Sequence, residues 1–304
     1  MKPEAGRMAR TDNDSWDITE SVGATALGVA WARSQEAASE CPLFTDPFAE
    51  VFVEEAMTRG WQLPPQYMQE RIRSIAGYAA ARTKWFDEFF IAAGAAGIEQ
   101  AVILAAGLDA RAWRLPWNDG TVVFEIDQPK VLAFKSETLR AHNIEPAAEY
   151  VAVPVDLRQD WPEALREAGF DPGEPTAWAA EGLLPYLPAD AQDLLFERIA
   201  ELSAVGSRVG VETFGSGFFN EEYLAGRREQ MRRLREEAGA TNDDTPDVAD
   251  LWYVEDRTDL TAWFTERGWH VSEIEAADLM ARYNRAADDD TTPRTVFVEA
   301  RLTG

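Results

Sequence analysis

The segment AVILAAGLDARAWRL, residues 101–115, has the pattern of a buried β-strand, a tight turn and the start of a helix, and this pattern indicates the fold class. Similar apolar runs follow it, and helical patterns separate them. These runs are QAVILAA (100–106), TVVFEID (121–127), EYVAVPVDL (149–157), PTAWAAEGLL (175–184) and SRVGVETF (207–214). Because strands and helices that alternate close through right-handed crossovers, the sequence predicts an α/β fold with a doubly wound, mostly parallel sheet.

The two ends of the chain depart from this rhythm. The residues before the first strand are rich in alanine and place apolar side chains at helical intervals, which predicts a helical cap over 1–98. The rest, 99–304, forms the Rossmann-like domain, and we interpret residues at about 215–250 as an insertion near its active-site edge. The patterns WHVSEIEA (269–276) and TVFVEARL (295–302) predict a closing β-hairpin with one antiparallel strand.

Composition excludes several classes of function. The 304 residues include 29 Lys and Arg against 54 Asp and Glu, and the net charge of -25 would repel a phosphate backbone, so we expect no nucleic-acid partner. No segment approaches the roughly 20 apolar residues of a membrane span. The polar start of the chain has no secretory pattern, which predicts a cytoplasmic protein. With one cysteine and two histidines, neither a disulfide nor a metal site is expected.

The turn after the first predicted strand carries Gly107. In open α/β sheets, ligands bind beyond the carboxyl ends of the strands, and a glycine there lets the backbone approach a ligand. An ordinary strand-to-helix turn explains a single glycine equally well, since a dinucleotide fingerprint needs three. Gly107 therefore indicates a ligand site only together with other signals.

Carboxylates end the second predicted strand, in VVFEIDQP (122–129). A carboxylate at this position can accept hydrogen bonds from both ribose hydroxyls, and Glu125 follows Gly107 at close to the spacing of roughly 20 residues that nucleotide-binding folds show. We therefore expect Glu125 to hold a ribose, with a solvated strand end in an acidic protein as the alternative. Asp127 fits either a ligand contact or a cap for the helix that begins near Pro129.

The next two strands also end in acidic residues. Asp156 is placed to accept a hydrogen bond from the exocyclic amine of an adenine, beside the apolar surface of Leu157, although it could instead cap a turn. Glu181 and Gly182 interrupt an apolar run, which predicts a carboxylate in the ligand crevice; a buried, ion-paired glutamate is the alternative.

Five motifs occur in order along the chain. They are ARTKWFDEFF (81–90), ILAAGLDARAWRL (103–115), FEIDQPKVLAFK (124–135), PVDLRQDW (154–161) and AAEGLLPYLP (179–188). In this combination the chain resembles the mycobacterial-type S-adenosylmethionine-dependent methyltransferases, which are related to leucine carboxyl methyltransferases and polyketide carboxyl O-methyltransferases. The resemblance covers nearly the whole chain, including the opening TDNDSWDITESVGATALGVAWAR (11–33).

The resemblance implies a class I methyltransferase fold with a helical cap that binds S-adenosylmethionine. It implies that Arg82 holds the methionine carboxylate, for which a guanidinium is suited. The cofactor-binding residues carried over in this way are Arg82, Ala106, Gly107, Glu125, Asp127, Asp156, Leu157 and Glu181. Asp109 and Arg111 match the family's G-x-D-x-R turn, and we expect them to pair structurally. Ala105 departs from the pattern, because many methyltransferases carry another glycine there.

The acceptor is predicted to be a small molecule methylated on a carboxylate or hydroxyl oxygen. A carboxylate needs no general base, whereas a hydroxyl could use Tyr186 or Glu181, and we assign no base. The aromatic residues of the insertion predict an apolar or aromatic acceptor, unless they simply pack the insertion onto the domain. They are Phe218, Phe219, Tyr223, Trp252 and Tyr253.

Two other classes of function fit the same strand pattern. A nicotinamide-dependent oxidoreductase would share the first turn and the acidic second strand, but the chain has neither the further glycines of that fingerprint nor an obvious catalytic pair. A non-catalytic protein could keep the cofactor fold as a sensor or scaffold.

Overall fold

The structure is a computed structural model, and it describes residues 21–215, 218, 221–239, 251–286 and 292–304. In this part of the chain seven strands form one sheet in the order β3-β2-β1-β4-β5-β7-β6. The strands are β1 (Gln100–Leu104), β2 (Val122–Asp127), β3 (Glu149–Pro154), β4 (Thr176–Ala180), β5 (Arg208–Phe214), β6 (Trp269–Glu275) and β7 (Thr295–Leu302). Strand β7 runs antiparallel to both of its neighbours, and the other pairs are parallel. The predicted mostly parallel, doubly wound sheet is therefore confirmed.

Helices cover both faces of this sheet. They are α1 (Ser21–Ala37), α2 (Pro47–Thr58), α3 (Gln66–Ser74), α4 (Ala76–Ala95), α5 (Arg111–Arg114), α6 (Pro129–Ala141), α7 (Trp161–Glu167), α8 (Ala189–Glu201), α9 (Glu221–Glu237), α10 (Leu260–Glu266) and α11 (Ala276–Arg282), with a 3-10 turn η1 at Leu184–Tyr186. The central strands β1 and β4 are buried at every residue, as expected for parallel strands covered on both sides.

One apolar cluster joins the N-terminal helices to the sheet. It contains Trp31 of α1 and Phe86 and Phe90 of α4, together with Ile103 of β1 and Ala179 of β4. The predicted boundary after residue 98 falls in the loop between α4 and β1, but the core is continuous across it. The division into two parts stays a prediction.

A second apolar cluster covers the opposite face. It joins Trp161 of α7, Phe196 of α8 and Phe264 of α10 to Val102 and Trp178 of the central strands. The aromatic rings of Trp161 and Trp178 meet edge to face, with 6.2 Å between centroids. Two filled faces hold the strand ends in fixed positions, which is what a binding site at those ends requires.

The C-terminal strands pair as predicted, but the connection between them is not a simple hairpin. Helix α11 lies between β6 and β7, with Ala276, Leu279 and Met280 buried. Their spacing of three and four residues gives the segment one apolar side, which favours a helical turn over a loop. Of the predicted insertion, α9 is present, whereas residues 240–250 lie outside the described residues. None of the described helices combines the length and apolar character needed to cross a bilayer.

Candidate functional site

A cavity opens at the carboxyl ends of β1, β2 and β4, where ligands bind in open α/β folds. Helix α1 lies on its other side and contributes Thr25, Ala26, Val29 and Arg33 to the wall. Of the predicted site residues, those that line it are Arg82, Ala106, Gly107, Asp127, Asp156, Leu157, Glu181 and Tyr186. The structure thus brings together residues from segments that are far apart in the sequence.

The turn after β1 has an unusual backbone. Gly107 has φ of +51°, and a side chain there would also meet the Cβ of Ala26 at 3.4 Å. Ala105 has φ of +50° although it carries a Cβ. Left-handed backbone costs a non-glycine residue about 1–2 kcal/mol. The glycine that many methyltransferases carry at position 105 therefore has a structural reason, and this chain holds the same conformation without it.

Asp127 connects the turn to the end of β2. Its Oδ2 accepts the N–H of Gly107 at 2.6 Å, and its Oδ1 accepts the N–H of Gln128 at 2.6 Å. Burial raises the pKa of Asp127, and these two backbone hydrogen bonds oppose that shift. A carboxylate offers about four acceptor positions, so Asp127 can still receive hydroxyl groups from a ligand. Helix α6 is capped at Gln128 without a side-chain bond, so Asp127 is not its cap.

Glu125, for which the sequence predicts a ribose contact, lies outside this cavity. Its side chain is fully buried and does not line the cavity. Its Oε2 lies 2.5 Å from Nζ of Lys135, a fully buried residue of α6. Burial raises the pKa of Glu125 to about 7, although Lys135 acts in the opposite direction. The carboxylate of β2 that reaches the cavity is that of Asp127, the last residue of the strand.

The end of β3 contributes Asp156 and Leu157 to the cavity wall. Asp156 accepts hydrogen bonds from Nε2 of Gln128 at 2.9 Å and from the guanidinium of Arg158 at 2.7 Å. It also accepts the backbone N–H of Arg158 at 2.8 Å. Asp156 therefore caps a turn and also lies in the cavity wall.

Arg82 and Glu181 form an ion pair in the cavity wall. Nε of Arg82 lies 3.0 Å from Oε1 of Glu181, whose Oε2 accepts from Arg111 at 2.8 Å. Arg111 is buried and pairs with Asp109, as predicted for the G-x-D-x-R turn. It also bonds Asp87 of α4 at 2.7 Å. Glu181 is thus ion-paired and half-buried, and it also lines the cavity; its contact with a ligand stays a prediction.

The aromatic residues of the insertion form a separate cluster. Phe218 is buried and packs on Phe214 at the end of β5, with 4.7 Å between ring centroids. It also lies 6.0 Å from Tyr223 and 5.6 Å from Trp252. Phe218, Tyr223, Trp252 and Tyr253 do not line the cavity at β1, and Phe219 lies outside the described residues. These contacts favour packing of the insertion over an acceptor wall in this cavity.

Arg33 of α1 also lines the cavity, although it was not among the residues expected from the sequence. Its Nε lies 2.9 Å from the buried Asp46 ahead of α2, and its Nη2 donates to the backbone oxygen of Leu108 in the turn after β1. Arg33 thereby fixes the covering helix to the cavity. A lone basic residue in the apolar pattern TALGVAWAR was the available signal. In the described part of the chain, no group of three His, Cys, Asp or Glu side chains could hold a metal ion.

Comparisons with known proteins agree with this architecture. The family model for leucine carboxyl methyltransferase matches residues 26–200. A protein of Mycolicibacterium paratuberculosis called "Putative S-adenosyl-L-methionine-dependent methyltransferase" is 56% identical, over 97% of this chain and 99% of its own length. A protein of the same name from Mycobacterium tuberculosis is 52% identical over the same shares.

A solved structure shares the fold. The crystal structure of a DUF574 family protein from Streptomyces avermitilis has a TM-score of 0.55 and covers 91% of this chain and 96% of its own, at 14% identity. The family match spans more than half of the chain, and the relatives span nearly all of it. This chain belongs to the leucine carboxyl methyltransferase family and is an S-adenosylmethionine-dependent methyltransferase.

Proposed function

We propose that the cavity at β1, β2 and β4 holds the methyl donor and that the acceptor is a small-molecule carboxylate. The observation that carries this proposal is that charged side chains from separate segments converge on a single cavity. The guanidinium of Arg82 and the carboxylates of Asp127, Asp156 and Glu181 line it, together with Arg33, Asp109 and Arg158. S-adenosylmethionine has a carboxylate, an ammonium group, a ribose diol and an adenine amine, and each finds a complementary group here.

Different residues would bind different parts of the donor. Arg82 would bind its carboxylate, for which a guanidinium is the best-matched side chain. Asp127 would accept hydrogen bonds from the ribose hydroxyls. The N–H groups of Gly107 and Gln128 use only part of its acceptor capacity. Asp156 and Leu157 would frame the adenine. This revises the assignment from sequence, which gave the ribose to Glu125.

When bound, the donor supplies an electrophilic methyl group on a sulfonium. The protein then has to align the acceptor oxygen and exclude water. Helix α1, fixed by Arg33, covers the cavity, and apolar side chains such as Ile103, Val131 and Leu183 form much of its wall. These residues favour an acceptor with apolar character.

A carboxylate acceptor is favoured over a hydroxyl because no histidine is among the described residues that line the cavity, and the carboxylates there already accept hydrogen bonds or ion pairs within the protein. His142 ends α6, with Nδ1 2.9 Å from the backbone oxygen of Thr138, and His270 lies on β6; neither lines the cavity. Glu181 is occupied by Arg82 and Arg111. Similarity to a family named for carboxyl methylation points the same way.

The experiment is to measure S-adenosylhomocysteine formation with a panel of apolar carboxylic acids and matched phenols and alcohols. We expect turnover with carboxylic acids and methyl ester as the product. Tyr186→Phe should keep that turnover, because no proton has to be removed by Tyr186. Turnover confined to phenols or alcohols and lost in Tyr186→Phe would reject the carboxylate assignment.

A further inference from the structure

A buried carboxylate lies directly behind Arg82. Glu212, near the end of β5, is 7% exposed and does not line the cavity. Its Oε2 accepts the N–H of Gly182 at 2.9 Å and lies 3.4 Å from Nη1 of Arg82. Both of these partners do line the cavity. Glu212 is therefore one contact away from the predicted position of the donor.

The other neighbours of Glu212 are neutral. The hydroxyl of Tyr78, on α4, donates to Oε1 of Glu212 and lies 3.0 Å from Oγ1 of Thr295 on β7. Among the described residues, Arg82 is the cation within 4.0 Å of this carboxylate. The nearest other acid on the same guanidinium is Glu181.

We propose that Glu212 is a positioning residue that holds Arg82 toward the cavity and takes up a proton when the donor's carboxylate binds to Arg82. The inference rests on the proposed role of Arg82 in donor binding. It extends that role by coupling the donor site to the protonation of a residue outside the cavity.

The reason is the number of negative charges around one guanidinium. Arg82 already has carboxylates at Nε and Nη1, from Glu181 and Glu212. A third carboxylate, that of the donor, brings like charges together, and one acid at such a site then gains a proton. Glu181 keeps a second cation, Arg111, whereas Glu212 has Arg82 alone among the described residues. Glu212 is therefore the acid that protonates.

Burial prepares Glu212 for this change. It raises the pKa of Glu212 to about 7, while the N–H of Gly182 acts in the opposite direction. At neutral pH a modest extra repulsion is then enough to complete protonation, with the proton drawn from the buffer. A protonated Glu212 still accepts the Gly182 N–H on its carbonyl oxygen, so the loop at the end of β4 stays in place.

The test is isothermal titration of the full chain with S-adenosylhomocysteine, at pH 8, in phosphate and in Tris. These buffers differ in ionisation enthalpy, so the difference in heat counts the protons taken up. We expect net uptake by the wild type, and a Kd that weakens above pH 7 by a factor that approaches about tenfold per pH unit. In Glu212→Gln, the uptake and this pH dependence should both disappear. Equal uptake in Glu212→Gln, or none in the wild type, would overturn the proposal.

A second variant protects the test against a folding failure of Glu212→Gln. Tyr78→Phe keeps the ring beside Arg82 but removes the hydroxyl that stabilises ionised Glu212. The pH at which Kd begins to weaken should move upward in Tyr78→Phe, which a purely structural role would not cause; an unchanged midpoint contradicts the proposal. Absence of any binding by the wild type would instead reject the proposed donor site itself.

Discussion

At the scale of single residues, burial separates two carboxylates that the sequence cannot distinguish. Glu125 and Asp127 are two positions apart on β2, and both precede the connection from β2 to α6. Glu125 is enclosed under α6 by Lys135, whereas Asp127 ends the strand and faces Gly107. Which of the two carboxylates contacts a ligand depends on the position of Lys135, eight or more residues away along the chain. The alternation of residues along β2 does not predict where Lys135 lies.

The first prediction compares these two acids. Asp127→Asn should weaken binding of S-adenosylhomocysteine about 10- to 100-fold, because hydrogen bonds to a charged group contribute about 1.5–3 kcal/mol. Glu125→Gln should change the same Kd less than about threefold, since Glu125 does not reach the cavity. Titration calorimetry measures both values, and circular dichroism checks that each variant is folded. A larger loss of affinity in Glu125→Gln than in Asp127→Asn would instead support a ribose contact by Glu125.

The second prediction concerns the strained turn. Ala105→Gly should be neutral or raise the free energy of unfolding by up to about 1 kcal/mol, because relief of the left-handed strain exceeds the added entropy of the unfolded glycine. Ala106→Gly is the matched control, because Ala106 is not among the residues with positive φ, and it should lower stability by about 0.5–1 kcal/mol. Urea denaturation decides the question; equal destabilisation by both would argue against strain at Ala105.

At the scale of elements, β2 and α6 are joined by a buried ion pair. Removal of one partner from such a pair typically costs 3–5 kcal/mol, because a charge is left without a partner. Lys135→Met should therefore lower the free energy of unfolding by about 3–5 kcal/mol at pH 8. The loss should be smaller at pH 5, where Glu125 can protonate, since burial already raises its pKa to about 7.

The control for this prediction is the double variant Lys135→Met with Glu125→Gln. It removes both charges and should recover much of the stability lost at pH 8. Chemical denaturation at the two pH values gives the comparison. Losses that simply add, with no dependence on pH, would show that Glu125 and Lys135 do not interact across β2 and α6.

The elements themselves were predictable to different extents. The central strands β1 and β4 have continuous apolar runs because both sheet faces are covered there, so their positions along the chain follow from the pattern. Strand β3 lies at the edge of the sheet, and Val153 is its one buried residue. Helix α11 is only seven residues long, and its pattern is shorter than two helical turns. The position of α1 over the cavity depends on contacts of Arg33 with Asp46 and Leu108, which are set by tertiary packing.

At the scale of the whole molecule, two buried acids make stability depend on pH. Burial raises the pKa values of Glu125 and Glu212 to about 7, against an ordinary value of 4.5. Between these values the folded chain keeps protons that the unfolded chain releases. The contribution of each acid to stability is therefore fully present below about pH 4.5 and is lost as the pH rises toward 7.

A difference measurement isolates this contribution from other titrating groups. The free energy of unfolding of Glu212→Gln relative to wild type should rise between pH 4.5 and pH 7, by on the order of 3 kcal/mol, and then stay constant. Thermal or urea unfolding of both proteins across this range provides the values. A relative stability that is independent of pH would show that Glu212 has an ordinary pKa in the folded protein.

The composition of the cavity was predictable from sequence in large part, because ligands in this kind of sheet bind where the strands end. Gly107, Asp127, Asp156 and Glu181 all follow from that rule. This rule did not predict the residues of α1 that cover the cavity, because they lie on a helix. It also did not predict Glu212, because β5 contributes no residue to the cavity wall among the described residues. Long-range packing positions both.

The most direct test of the central claim is a crystal structure of the complex with S-adenosylhomocysteine. We expect the ribose hydroxyls to contact Asp127, the adenine to lie beside Asp156 and Leu157, and the ligand carboxylate to bind Arg82, with α1 closed over the ligand. A ligand bound outside this cavity, or one whose ribose contacts none of these carboxylates, would contradict it.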